Sequence, residues 1–455
     1  MAGLEETGKR PLAADLRDLL TSPRELWIAC AVGFIESIGI YSMIFTLVLW
    51  LSVDFGYDDT GAAGWVTVFS SCATLFMVAA GFVGDALGVR RGLIVSLGLL
   101  MVGRLLMGFA PGRGMAITGL MVMCVGYAAC TPVMNTAFRR FSHPRARAFA
   151  FSIFYVVLNI GAAVAGFLVD ACRKPFLSED GKTLVPRVVR LPVIGDHAMT
   201  AYRAVFLVGA VLAAVAFLLT LLVRRDIDTE RGAETAGATP TAGPKAPWRI
   251  AADVMREATF WRFMLLMGLL ALVKMISSHS HFTLPKYVLR ELGESFPIGT
   301  FQAINPLAII VLVPVVTALT RHMPAFRVIF LGSAVAAGSV FLLTLPASYV
   351  TIAAFFLFLS IGEALWAPRS YELIATIAPR GRESSYMGLS GLPFFVAKLG
   401  ALPMSGWLLS EYCPPDGPRH SSTMWLVIGL SAVVAPVLMF GLRSVIEGRS
   451  PPTPR

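Results

Sequence analysis

Four ionisable side chains stand where the sequence is otherwise apolar. Glu36 lies in GFIESIGIYSM (residues 33–43), the only charge between Leu26 and Leu51, while Lys274, Glu363 and Lys398 interrupt LLALVKMISS, FLSIGEALWAP and PFFVAKLGAL. At the rise of a helix, Glu36 is about 11 residues, or roughly 17 Å, from the start of its run, and the other three are about 12 or 13 residues from theirs. All four therefore reach a similar depth. A charge at the centre of a bilayer costs on the order of 3 kcal/mol even on a lenient scale, so such groups are expected to face an aqueous cavity and one another. Carboxylates that share a partly dry cavity with ammonium groups can load and release a proton, which makes Glu36 and Glu363 proton-coupling candidates. Lys274 and Lys398 can bind an anionic group of a solute or pair with the glutamates. The alternatives are a carboxylate held neutral by helix-packing hydrogen bonds and fixed structural ion pairs.

The elements that must carry these residues follow from composition. Of 455 residues, 56% are hydrophobic and only 15% charged, with mean hydropathy +0.72; no soluble domain covers so much apolar surface with so few charges. Apolar segments long enough for a hydrocarbon core of about 30 Å recur near residues 25–52, 62–84, 92–110, 115–138, 148–171, 201–224, 262–284, 299–320, 327–345, 350–378, 385–410 and 423–443. Helices satisfy their own backbone in lipid. The expectation is an all-α, polytopic membrane protein with twelve transmembrane helices in two six-helix bundles.

Pro23 and Glu25, following Ser22, suit the first turn of a helix with Ser22 as its cap. The first 24 residues lack the pattern of a removable signal peptide and are expected to be a cytoplasmic segment. Arginines and lysines such as Arg90, Arg91, Arg139, Arg140, Arg224 and Arg321 concentrate in loops on the side of the N-terminus, so both termini are expected in the cytoplasm and the protein in the cell membrane. The net charge of +10 is thereby a matter of topology, with no nucleic-acid partner expected. Residues 25–225 and 262–443 form the two halves. Between them, 226–261 reads as a linker rich in Gly, Ala, Thr and Pro with an amphipathic helix or an extension of the seventh span at 248–261, and 444–455 reads as a tail. The six cysteines show no paired metal spacing; a Cys172–Cys413 bond is an open alternative, and neither metal nor cofactor is expected.

Between the second and third spans the chain reads GFVGDALGVRRG (residues 81–92), which resembles the G-x-x-x-D-x-x-G-R-[RK] signature of the major facilitator superfamily. The resemblance implies gating roles for Gly81, Asp85, Arg90 and Arg91. AFSIFYVVLNIGA (150–162), FPIGTFQAINPLAII (296–310) and SIGEALWAPRSYELI (360–374) are similar to patterns in spans five, eight and ten of the proton-dependent oligopeptide transporter (POT/PTR) family. Set on that family's E-x-x-E-R-F-x-Y-Y-G motif, Glu36 takes the second glutamate, Gly33 replaces the first and Ser37 the arginine. In GYAACTP (126–132), Thr131 stands where the family usually carries a lysine. The lost cations are ones the family associates with proton coupling and with the substrate carboxylate.

Tyr41, Tyr155 and Trp366 can line a cavity or pack, and Asn159 and Asn305 can contact a solute or bond across helices. Arg104 and Arg369 are buried partners or snorkel, the structural role being favoured for Arg104. His279 and His281 can sense pH, but a metal site would need more ligands. The leading expectation is a monomeric secondary transporter that moves a small polar, zwitterionic or anionic solute by alternating access, with protons as coupling ion and uptake by symport. The alternatives are a proton-driven efflux antiporter of amphipathic compounds and a nontransporting sensor on a transporter fold. No HExxH, GxSxG or GxGD motif occurs in a span and no GxxxxGK[ST] loop occurs at all, so neither an intramembrane enzyme nor ATP drive is expected.

Overall fold

A computed structural model of the chain describes residues 20–142, 147–191, 195–224, 258–377 and 391–447, and within these the side chains of 78–86, 147–149, 191, 195, 197, 258–259, 371–377, 391 and 447 lie outside the description. Among the described residues, twelve helices are long and apolar enough to cross a membrane. Spans one to six are Arg24–Phe55, Asp59–Met77, Leu87–Gly108, Arg113–Phe141, Ala150–Phe176 and Ala201–Leu221. Spans seven to twelve are Phe260–Phe282, Ile298–Thr320, Ala325–Thr344, Tyr349–Ser370, Leu392–Tyr412 and Ser421–Gly441. The first six pack as one bundle and the last six as another. The bundles meet where span five lies on span eight, span two on span eleven and span one on span seven. Span one is 78% buried over its apolar window and span eight only 17%, so the helix that carries Glu36 is wrapped by protein.

Two elements depart from the sequence expectation. Spans two and three form one helix, Asp59–Gly108, broken only at Gly88 with φ 74° and ψ 167°. That conformation is open to glycine and strained for other residues, so the chain turns between two spans at one residue instead of through a loop. Span one begins at Arg24, which places its cap position at Pro23, one residue after the expected Ser22, and Pro23 makes no side-chain cap bond. Glu25 instead takes bonds from Arg224 at 2.8 Å and Arg24 at 3.3 Å. This joins the start of span one to the end of span six.

Between spans five and six, segment 172–200 contains an antiparallel hairpin, β1 (Arg187–Leu191) against β2 (Gly195–Met199). The hairpin marks one face of the molecule, called here the hairpin face; the starts of spans one and seven mark the termini face. Just past span seven on the hairpin face runs a short helix, Leu284–Leu292. All six cysteines are free thiols, Cys172 and Cys413 included. The linker 226–257 lies outside the described residues, as do the last eight residues of the tail.

Candidate functional site

Lys274 and Glu363 meet. The ammonium nitrogen lies 3.6 Å from Glu363 Oε1, with Lys274 half exposed and Glu363 nearly enclosed. Ser277, one turn along span seven, donates to the same oxygen at 2.6 Å, and Asn305 of span eight donates to Oε2 at 2.9 Å. Asn305 also reaches Ser360 Oγ at 3.0 Å, one turn before Glu363 on span ten. Three helices of one bundle thus converge on one carboxylate. A carboxylate accepts up to four hydrogen bonds; Ser277 and Asn305 supply one to each oxygen and Lys274 adds an ion pair, which holds the group in place while leaving it room to accept more. From the opposite bundle, Tyr41 of span one and Tyr155 of span five lie within electrostatic range of both Lys274 and Glu363. The pair therefore faces the seam between the bundles.

Glu36 is elsewhere. Arg104 of span three grips it with both arms, Nη1 to Oε2 at 3.0 Å and Nη2 to Oε1 at 2.5 Å, and Nη1 also donates to the Gly209 carbonyl at 3.2 Å. Arg104 is 1% exposed. Gly39 makes the space: a Cβ there would fall 2.9 Å from the guanidinium carbon. The depth estimate put Glu36 in one layer with the lysines, but it gives no direction around the helix. Glu36 turns into its own bundle. The partner that the sequence reading did not assign is Arg104, whose position in an apolar span was the available signal, since an enclosed guanidinium requires an anion.

Of the remaining expected residues, Lys398 of span eleven is half-buried, lies within electrostatic range of Lys274 and has no acidic partner among the described residues. Asn159 donates back to Tyr155 O at 2.8 Å, within its own helix. Trp366 is 5% exposed and part of the packed core, its indole nitrogen without a partner, so it packs rather than lining the seam. Gly33 and Ser37 also pack within their bundle: Ser37 donates to Phe34 O at 2.8 Å, and a Cβ at Gly33 would fall 2.6 Å from the Phe154 ring. Thr131 bonds only its own helix, at Tyr127 O. Arg90 donates to Leu221 O at 3.3 Å and Arg91 is exposed; the side chains at Gly81 and Asp85 lie outside the described residues. Arg369 donates to Thr320 O at 2.7 Å.

Sequence reasoning missed the contacts that close the hairpin face. Lys286 of the short helix reaches Ser52 Oγ at 2.6 Å and Asp59 Oδ1 at 2.7 Å, and Arg290 takes both oxygens of Asp59 at 3.0 and 2.7 Å. Burial pushes the Lys286 ammonium below the ordinary lysine range, and the Asp59 carboxylate limits the fall. Between spans five and eight, Asp170 accepts from Gly299 N at 2.9 Å and Thr300 N at 2.6 Å, where the first turn of span eight offers unpaired amides. Arg173 completes the seal by donating to Phe296 O and to Glu294. The backbones cross so closely that a Cβ on Gly166 would fall 2.2 Å from Gly299 O. At the termini face, Arg90 bonds Leu221 O, Arg224 bonds Glu25 and Arg369 bonds Thr320 O, each of these within one bundle.

Comparison with known proteins bears on the fold. The model of the Major Facilitator Superfamily matches residues 29–397. No curated protein matches the chain. Solved structures with a similar fold include a POT family transporter in complex with 5-aminolevulinic acid, at TM-score 0.72 and 16% identity over 94% of this chain and 97% of that one. A POT family transporter in complex with a thioalcohol-conjugated peptide gives TM-score 0.71 and 17% identity over 94% and 97%. The peptide transporter POT in complex with sulfate gives 0.71 and 16% over 95% and 98%.

Proposed function

The chain belongs to the Major Facilitator Superfamily, and from that premise we propose that it is a secondary active transporter which moves a small zwitterionic or anionic solute by alternating access, coupled to protons. The observation that carries the reading is the Lys274–Glu363 pair, held at 3.6 Å by Ser277 and Asn305 and turned to the seam between two bundles. Ionisable groups inside membrane spans mark solute and proton pathways, because their cost is borne only where they work. Protonation of Glu363 would remove the counter-charge of Lys274 and leave that ammonium for a solute carboxylate. Lys398 supplies a second positive charge, so the local balance of two ammonium groups and one carboxylate favours a ligand with a negative group. Tyr41, Tyr155 and Asn159 line the facing side, Asn305 bridges to the carboxylate, and Trp366 backs the packing. Glu36 remains a second proton-coupling candidate in its grip with Arg104.

Alternating access would run between the closed hairpin face and a state in which Asp59 and Asp170 release their partners. Gly81, Asp85, Arg90 and Arg91 would guard the termini face, which we place in the cytoplasm with the protein as a monomer in the cell membrane. Fold-level likeness to POT transporters supports a peptide-like or amino-acid-derived solute such as 5-aminolevulinic acid, although Ser37 and Thr131 stand where that family carries cations and Gly33 where it carries a glutamate. The test is uptake into proteoliposomes under an imposed pH gradient, with 5-aminolevulinic acid, dialanine and a dicarboxylate as probes. Accumulation of at least one above the level without a gradient is expected. Release of a lipophilic cation in exchange for protons, with no uptake of the three probes, would establish the efflux reading in its place.

A further inference from the structure

Residues 274, 277 and 281 of span seven recur at i, i+3 and i+7, so their side chains share one stripe of the helix. Lys274 and Ser277 engage Glu363; His281 lies one turn nearer the hairpin face. Its Nδ1 is 3.2 Å from Gln302 Oε1, and Gln302 Nε2 donates to Ser280 O at 2.6 Å. The second bond fixes the amide. With the amide nitrogen committed to Ser280, the oxygen faces the histidine, and Nδ1 must carry the ring hydrogen. The lone pair of the neutral ring is then on Nε2, which has no protein partner among the described residues. His279 differs: it is buried, and its Nδ1 is satisfied by Thr283 Oγ1 at 2.9 Å on the next turn.

The surroundings of the His281 ring come from both bundles. Span one presents Phe45, with ring centroids 5.5 Å apart, and span eight presents Gln302. The charged groups that face it are Lys274 on its own helix and Glu363 on span ten. Between the seal at Asp59 and Lys286 and the carboxylate of Glu363, the ring is thus a titratable step whose open nitrogen is set by its neighbour.

The geometry points to His281 as the proton-transfer residue that delivers protons from the hairpin face to Glu363, an inference that rests on the proton-coupled reading above. With the hairpin face open, a hydronium ion gives its proton to the Nε2 lone pair and leaves as water, which forms an imidazolium. Transfer of that proton, directly or through a water, breaks the Nε2–H bond and forms an O–H bond on Glu363. The ring returns to neutral and Lys274 loses its counter-charge. Gln302 holds the tautomer and the ring plane throughout, as the orienting group of a general base does.

The test is a carbon and nitrogen NMR titration of the full-length protein in detergent, labelled at its six histidines, with the His281 signals assigned by their loss in His281→Gln or, if that variant does not fold, His281→Asn. The expected result is an Nδ1–H tautomer at neutral pH and a titration midpoint displaced by about one pH unit or more in Glu363→Gln, the size expected when a charge is removed at short range. Gln302→Glu, which places a carboxylate on Nδ1–H, should displace it by a similar amount. An Nε2–H tautomer, or a midpoint indifferent to Glu363→Gln and Gln302→Glu alike, overturns the assignment. Failure of the wild-type protein to couple transport to a pH gradient would remove the proton-coupled reading without moving these resonances, so the two outcomes stay separate.

Discussion

Arg104 and Glu36 face each other inside the first bundle as two parallel hydrogen bonds, at 3.0 and 2.5 Å, with the guanidinium 1% exposed and a third bond to Gly209 O. A pair so enclosed stabilises little against an apolar replacement of both partners, but removal of one leaves a charge with nothing opposite it.

Glu36→Ala is accordingly expected to cost about 3–5 kcal/mol of stability, and Glu36→Gln less, since an amide still accepts one of the arginine bonds. The double variant Glu36→Gln with Arg104→Met should recover part of that loss. Thermal unfolding followed in detergent checks both. A Glu36→Gln protein as stable as wild type but unable to accumulate solute under a pH gradient would move Glu36 from scaffold to proton coupling, beside Glu363.

For Glu363 the expected outcome is the reverse. A glutamine there can still accept from Asn305 Nδ2 through its carbonyl and donate from its amide nitrogen to the Ser277 hydroxyl, which rotates to suit, whereas the charge is lost. Glu363→Gln should preserve expression and exchange of solute across the vesicle membrane, and should reduce accumulation driven by a pH gradient to the level measured without one. Loss of exchange together with accumulation would make Glu363 a solute ligand and leave the coupling group to be found.

How much of this was legible in the sequence differs by level. The twelve spans were readable because a hydrocarbon core of about 30 Å imposes a length on every apolar run. Depth was readable for the same reason, which is how Lys274 and Glu363 were set in one layer. Direction around each helix was not: Glu36 and Arg104 are 68 residues apart in different spans, and nothing local to either specifies the other. The seal at Asp59 was invisible for a related cause. Lys286 and Arg290 belong to a helix of nine residues, too short for a span, and its chemistry appears only when two halves of the chain close on each other. Gly88 was quoted within a motif, yet the motif does not disclose that one residue would replace a loop.

Asp59 offers a prediction about that seal. Asp59→Asn leaves Lys286 and Arg290 facing each other with no carboxylate between them, so the closed hairpin face should lose on the order of 3 kcal/mol relative to the open one. Gly166→Val should act in the same direction by steric exclusion, since a Cβ there meets Gly299 O. A single reporter cysteine in place of Tyr155, introduced after replacement of the six native cysteines, should react faster with an impermeant maleimide applied from the hairpin side in both variants. Unchanged labelling in both would show that neither contact holds the face closed.

Lys398 yields the last prediction. It lies within range of Lys274 with no acidic partner among the described residues, and a positive charge at that depth is costly unless an anion or water compensates it. A solute carboxylate, phosphonate or sulfate would be that anion. Lys398→Gln should therefore weaken an anionic ligand by about 1.5–3 kcal/mol, the worth of a hydrogen bond to a charged group, or roughly tenfold to 150-fold in Kd. A neutral lipophilic ligand should bind within about twofold of wild type, because it gains nothing from the ammonium. Lys274→Gln should weaken the anion as well, but with an added effect on driven accumulation, since it also removes the partner of Glu363. Calorimetric titration of each variant with one anionic and one neutral ligand decides the matter. Equal losses for both ligands would mean that the substitution disturbs packing, and no loss for the anion would take Lys398 out of the site and favour an efflux cavity for amphipathic compounds.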